Sequence, residues 1–329
     1  MKKFNKFLAL LLIMFLVLPG FTFANDASNL KNSASATSKP DTSELKTVER
    51  ALGKFDSNVK TEQVSLTKQL EEFFKDNDEV RVIVELKTEP VIVQATKINT
   101  KYGNMSSSAL QKIEQQINKE QEQLKQSIKL NKISMEYLNS FNTTFNGFSG
   151  MIKFGDIATI EKLPQVNKVY ISNEYERPSE KPDMDTSKDM ICTSPTWDLG
   201  IKGEGTVIAI IDTGIDPGHR DMVLSEETNP KLNQNSLAGK NLLGRYYTEK
   251  VPYGYNYYDL NNEIRDLGPG ASMHGMHVAG IAGANGNPAN GGIKGVAPEA
   301  QLLAMKVFSN DPLYATTFSD IYLVAIEES

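Results

Sequence analysis

The chain has 329 residues, with 40% hydrophobic and 23% charged side chains, which is enough for two packed domains and excludes wholesale disorder. Its formal charge of −6 offers no general electrostatic footprint for nucleic acid. A single cysteine excludes an intrachain disulfide, and of the three histidines two sit three positions apart.

Lys2, Lys3 and Lys6 precede an apolar run over 7–18, which Pro19 and Gly20 break. Thr22 and Ala24 place small residues before a cleavage after Ala24. This is the layout of a secretory signal peptide over 1–24. A membrane anchor is the competing reading, but twelve apolar residues span only about 18 Å as a helix, short of the ~30 Å hydrocarbon core. No later segment reads as a membrane span. Residues 25–77 are rich in Ser, Asn, Lys, Asp and Thr and read as a flexible spacer with a marginal helix over 66–74.

A strand is expected over 80–86, closed by Pro90. Over 106–138, Leu110, Ile113, Ile117, Leu124, Ile128, Met135 and Leu138 fall at three-, four- and seven-residue intervals, the stripe of one amphipathic helix, weakening around Gln121. Two strands are expected next, over 141–145 and 148–154 around Asn146-Gly147, a strong tight-turn dipeptide. A short helix over 155–163 and a strand over 166–172 complete the order strand, helix, strand, strand, helix, strand. That is a ferredoxin-like, split βαβ domain over 78–173, expected to pack on the downstream domain through the sheet face its helices leave open. Residues 174–193 carry Arg177, Pro178, Glu180, Lys181, Pro182, Asp183 and Asp185, with little to bury, and read as an exposed linker open to nicking.

A second domain is expected over 194–329. A short helix is expected over 195–199. The runs 206–211 and 300–308 read as strands covered on both faces, as in a parallel α/β sheet. Helices are expected over 278–284 and 317–328. Two strong strands do not close such a core, so this α/β domain reads as incomplete.

Asp212 ends the first of these strands, at the edge where α/β sheets gather catalytic groups. Gly214 permits the chain to turn sharply away. An Asx-type turn, with Asp212 only capping backbone N–H groups, explains the segment equally well. Asp-Thr-Gly also occurs in aspartic proteases, but no second such triplet is present downstream to share a proton. His274 and His277, in His-Gly-Met-His, lack the acid of a zinc-hydrolase His-Glu-x-x-His motif. The residues alone leave open a metal ligand, a structural pair, or one acid–base histidine held by a buried carboxylate.

Asp-Thr-Gly-Ile-Asp at 212–216, His-Gly-Met-His-Val-Ala-Gly at 274–280 and Gly-Val-Ala-Pro-Glu-Ala at 295–300 together resemble the subtilisin-like serine proteases. Met276, where threonine is commoner, and the segment Val-Pro-Tyr-Gly-Tyr-Asn-Tyr at 251–257 resemble the large cell-envelope, lactocepin-type subtilases of Gram-positive bacteria. Residues 78–173 resemble the inhibitory prosegment that precedes many subtilases. The resemblance covers about 78–329. It implies an incomplete subtilisin-like parallel-sheet domain behind a ferredoxin-like α+β prosegment.

The resemblance implies that Asp212 is the triad aspartate and His274 the triad histidine. His277 is then helical scaffold, and His219 has no catalytic role. The family's oxyanion asparagine and its nucleophilic serine within Gly-Thr-Ser-Met/Leu-Ala have no match here. Asn285, Asn287 and Asn290 lie too close to the histidines, and Ser309, Ser319 and Ser329 lack the required neighbours. The expectation is a secreted serine endopeptidase precursor, extracellular or in the cell envelope, truncated before its nucleophile and inactive alone. A fragment, a frameshift and an early stop are equally compatible with this. The implied partners are protein or peptide substrates and an intramolecular prosegment contact, with no nucleic acid. The chemistry implies no metal or organic cofactor. Calcium stabilises related proteins, but no segment here has a clear liganding spacing. The alternative is a noncatalytic remnant whose prosegment binds a protease or assists folding.

Overall fold

The computed structural model describes residues 73–97, 101–179, 191, 193–314 and 316–329. The expected leader over 1–24, nearly all of the expected spacer and most of the expected linker lie outside the described residues. Of the helix expected over 66–74, only Phe73 and Phe74 are described, and neither is helical.

The first layer is a four-stranded antiparallel sheet of order β2-β3-β1-β4, formed by β1 (Glu79–Leu86), β2 (Glu136–Phe141), β3 (Gly147–Lys153) and β4 (Val166–Ile171). Between strands lie α1 (Val91–Lys97), which the sequence reading missed, the long α2 (Ser107–Leu130) and the short α3 (Ile157–Glu161). Alternation sorts β1 into two faces. Val80, Val82, Val84 and Leu86 join Phe148 and Val169 in a core closed by Leu124 and Ile128 of α2 and Ile160 of α3. Arg81 and Ile83 face the other way.

The Ser106 side chain caps α2 by accepting the Ala109 N–H at 3.3 Å. The helix ends at Leu130, not 138. Lys132 adopts φ +62°, and Ile133 N–H returns to Ile128 O at 3.3 Å, a closure that ends the helix. Met135 and Leu138 continued the apolar spacing only by coincidence. Gln121 is buried on the stripe because its Nε2 donates to Phe141 O at 2.7 Å and Asn146 Oδ1 at 3.0 Å.

The strand expected over 141–145 lies at Glu136–Phe141 instead. The N–H groups of Asn142, Thr143, Thr144 and Phe145 turn onto the Glu327 carboxylate at 3.0, 2.8, 2.6 and 3.0 Å, so they have no ladder to join. Nor do Asn146 and Gly147 make a two-residue turn. Asn146 is buried, donating to Thr88 O at 2.7 Å, and Gly147 opens β3, where a Cβ would lie 2.1 Å from Val84 O.

The second layer system contains α4 (Thr193–Asp198), β6 (Val207–Asp212), α5 (Gln234–Leu237), β7 (Tyr253–Asn256), α6 (His274–Gly283), β8 (Gln301–Lys306), β9 (Thr316–Phe318) and α7 (Ser319–Glu328). Strands β6, β8 and β7 form a parallel sheet in that order, and β8, central, is buried at every position. Strand β7 was not anticipated. Its Tyr253 and Tyr255, with Tyr257 beyond, pack on Leu303, Met305 and Val307, on the side covered by Ile321 and Ala325 of α7. Ile210, Leu302 and Ala304 pack on the other side with Ala279 of α6. The fold is therefore α/β with a parallel sheet, preceded by a ferredoxin-like α+β unit.

The expected linker over 174–193 needs correction at its start. Glu174–Glu176 is a strand, β5, paired antiparallel with β9. Its side chains are exposed, which is why composition reads as linker, but its backbone is committed to the ladder.

The open face of the first sheet receives α7. Asp320, with no exposed surface, accepts from Arg81 Nε at 2.7 Å and Nη2 at 2.9 Å, Ser149 Oγ at 2.7 Å, Asn139 Nδ2 at 2.9 Å and Ser172 Oγ at 3.2 Å. The Arg81 guanidinium also lies 4.4 Å from the centre of the Phe318 ring. Removing the carboxylate strands a guanidinium that is four-fifths buried. Asp320→Ala should therefore destabilise the chain by about 3 kcal/mol, read as a lower urea midpoint by circular dichroism.

Candidate active site at the end of strand β6

Strand β6 delivers Asp212 to the C-terminal edge of the parallel sheet, and α6 begins at His274 on the same edge. His274 Nδ1 lies 2.9 Å from each carboxylate oxygen of Asp212. The carboxylate accepts the Nδ1 proton, which leaves Nε2 as the basic nitrogen of the ring. The ring keeps 24% of its surface exposed and the carboxylate 14%, so the pair opens to the surface. Asp212 also accepts the N–H of the next residue, Thr213, at 2.6 Å, a bond one residue on, whereas an Asx turn bonds the amide two residues on.

The approach of α6 to β6 depends on a missing side chain. A Cβ on Gly275 would lie 2.6 Å from Gly214 O, 2.7 Å from Gly214 N and 3.1 Å from Asp212 Cβ. Gly275 N–H donates to Thr213 Oγ1 at 3.0 Å, tying the helix start to the strand end. Gly214 itself has φ +136°, and a Cβ there would meet Ile264 O at 2.4 Å.

Three further groups shape the site. Met273 precedes α6 at φ +56°. Its N–H and that of Ser272 donate to the buried Asp266 Oδ2 at 2.9 and 3.2 Å, which holds the turn into His274. Lys306, fully buried at the end of β8 and paired in register with Asp212, donates through Nζ to Thr213 O. Burial pulls its ammonium down to about 8, although Asp266, Asp259 and Glu263 favour the charge. Tyr322 of α7 is pushed up to about 12, by burial and then by the nearby Asp212 charge. Sequence reasoning missed these residues. Lys306 left a signal, a lone cation inside an apolar strand. Asp266 left none, because its partners are backbone groups six and seven positions on and a guanidinium 89 positions back.

The other histidines lie apart from the carboxylate. His277 lies one turn along α6, and its Nδ1 is buried with no hydrogen-bond partner among the described residues. His219, in the loop after β6, accepts the Asp221 N–H through Nδ1 at 3.2 Å. Met276 Sδ accepts the Asp216 N–H at 3.4 Å, so the methionine between the two histidines buttresses the Asp212 loop. Among the described residues no group of three or more His, Cys, Asp or Glu side chains is placed to hold a metal ion.

Residues 203–327 match the subtilase family model, and residues 81–178 match the peptidase inhibitor I9 model. A segment similar to subtilases thus follows one similar to I9 inhibitors. It is 42% identical over 196 residues to the PII-type proteinase of Lacticaseibacillus paracasei, a match covering 58% of this chain and 10% of that protein. The PI-type proteinase of Lactococcus lactis subsp. cremoris is 42% identical over 199 residues, with the same coverage. The minor extracellular protease Vpr of Bacillus subtilis (strain 168) is 32% identical over 194 residues, covering 55% of this chain and 21% of Vpr. A crystal structure of the epidermin leader peptide processing serine protease of Staphylococcus aureus aligns with 76% of this chain and 46% of its own, at 15% identity and a TM-score of 0.39. The chain thus spans about a tenth of the length of the lactic proteinases it matches.

Two measurements probe the segment that matches the subtilases. Gly275→Ala should cost about 1–3 kcal/mol in urea denaturation, since backbone rather than a flexible side chain must yield, and should shift the His274 ring resonances in NMR. Lys306 binds its proton more weakly folded than unfolded, so the unfolded state holds more protons between about pH 8 and 10.5. The Lys306 contribution to stability is constant below that window and rises with pH through it. Lys306→Met should remove that increment, seen as a shallower rise in urea midpoint from pH 8 upward.

Proposed function

We propose that this chain is the N-terminal portion of a secreted serine endopeptidase precursor that hydrolyses peptide bonds in proteins. On this reading Asp212 and His274 are the first two members of an Asp–His–Ser triad. The nucleophilic serine and the oxyanion asparagine come from sequence outside these 329 residues. The leader spans 1–24, the spacer 25–77, the inhibitory prosegment 78–173, the processing region 174–193 and the peptidase domain 194 onward. The product acts outside the cell or in the cell envelope. Its catalysis requires no metal or organic cofactor.

The observation that carries this reading is the contact of His274 Nδ1 with both oxygens of Asp212 at 2.9 Å, at the carboxyl edge of a parallel sheet. A carboxylate there orients the imidazole and stabilises the imidazolium as Nε2 takes the serine proton. The imidazolium then protonates the leaving amine. The oxyanion would be held by the asparagine and backbone N–H groups. The prosegment's place as internal inhibitor is supported by β5, which lies on the edge strand β9, and by the seating of α7 on the prosegment sheet.

The complete gene product, purified from a Gram-positive host, should hydrolyse casein and be labelled by a serine-directed fluorophosphonate. His274→Ala and Asp212→Asn should each lower kcat/KM by about 10^4-fold or more while the urea midpoint stays within the range of the parent. Full casein hydrolysis by His274→Ala would overturn the assignment.

A further inference from the structure

In the tail beyond the prosegment sheet, Arg177 makes side-chain contacts that the backbone pairing does not require. Beyond Glu176, the last residue paired with β9, Arg177 turns inward. Its Nη1 donates to Asp266 Oδ1 at 3.3 Å and to Gly270 O at 2.9 Å, and its Nη2 donates to Ser309 O. The guanidinium side chain is 11% exposed and the Asp266 carboxylate is sealed. Asp266 is also the residue whose other oxygen holds the turn into His274, so this cation lies beside the candidate site.

The surroundings of Arg177 are net acidic. Asp259 accepts from Ser309 Oγ at 2.5 Å and from Asn310 N at 3.0 Å, and Glu263 is paired with the exposed Arg265 at 2.7 Å. Lys306 is the opposing charge, and its ammonium is committed to Thr213 O. Without Arg177, Asp266 keeps two backbone N–H partners and loses its ion-pair partner, while the Gly270 and Ser309 carbonyls each lose a donor. A carboxylate flanked by two carbonyls, reached from an edge strand that pairs with an extended peptide, is a receptor for a cationic side chain. Arg177 does not fill it perfectly, since its Nε is buried without a hydrogen-bond partner among the described residues. The tail is thus a replaceable occupant.

We infer that Asp266, with the Gly270 and Ser309 carbonyls, is a specificity site for a basic side chain of the bound peptide, at the position following the residue paired with Thr316. This rests on the protease reading above. The chain's own Arg177 holds the site in the precursor, and an arginine-bearing substrate takes it once the tail has left.

The test uses the processed complete gene product and two synthetic peptides spanning 173–178, one native and one with citrulline in place of Arg177. Citrulline keeps the length and planarity and removes the charge. Both are assayed as competitive inhibitors of casein hydrolysis. The native peptide should inhibit at a concentration at least about tenfold lower than the citrulline peptide. In Asp266→Asn that ratio should fall to within about twofold. If Asp266→Asn does not accumulate, the comparison on the parent protein decides alone. Equal inhibition by the two peptides on the parent overturns the inference and leaves the protease reading standing, as does a ratio unchanged in Asp266→Asn. Absence of casein hydrolysis removes the protease reading and this inference with it.

Discussion

The contact of Gly275 with the Gly214 peptide is the constraint on which the site depends. Helix α6 can start beside the end of β6 only because no side chain stands between their backbones. Everything nearby results from that proximity. Thr213 Oγ1 receives the helix's second N–H, Asp212 meets the imidazole of the helix's first residue, and the sulfur of Met276 reaches the Asp216 amide. Side-chain flexibility has little room to act when the spacing is set by main chain on both sides. Asp212 and His274, 62 positions apart, therefore meet in a fixed geometry, since sheet and helix, not the connecting loop, set where the two residues meet.

Around that contact the protein buries several charges, each with a dense set of partners. Glu299 is an example away from the site. Burial alone would raise its carboxyl, but donors from Ser225, Thr228 and Asn285 outweigh that and hold it at about 2. Lys250 is the complementary case, its ammonium sealed against the Pro298 and Ala300 carbonyls at 2.6 and 2.5 Å and pulled down to about 8 by burial. Such groups give little net stability for their number, because desolvation offsets most of the attraction. What they do contribute is geometry: each permits one arrangement of the loops that hydrogen-bond to it.

Much of this was legible in the residues, and the exceptions share a cause. Strands β6 and β8 were legible because a run apolar on both faces has few alternatives to a covered parallel strand. The stripe of α2 was legible through Ile117, Leu124 and Ile128, but its end was not, since Lys132 adopts a left-handed conformation without being glycine. Strand β2 was misplaced because the residues that favoured a strand at 141–145 give their amide protons to Glu327, a partner more than 180 positions away. Strand β5 was hidden because exposed Glu and Tyr side chains say nothing of a paired backbone. At the site, Asp212 and His274 were visible as motifs, whereas Asp266 acts through amides and contacts that only folding assembles.

The joint at Asp320 has a consequence for the order of assembly. Arg81 and Asp320 are 239 positions apart, whereas the strand pairings of the first sheet close within residues 79–171. During synthesis the sheet can be complete, with Arg81, Asn139 and Ser149 still hydrated on its open face, long before α7 leaves the ribosome. The arriving helix must then strip water from a carboxylate and a guanidinium in the same event. That makes docking of α7 a late, high-contact-order step in which dehydration adds to the cost of closing the chain. Its rate should respond more to the polarity of that sheet face than to the helix's own propensity.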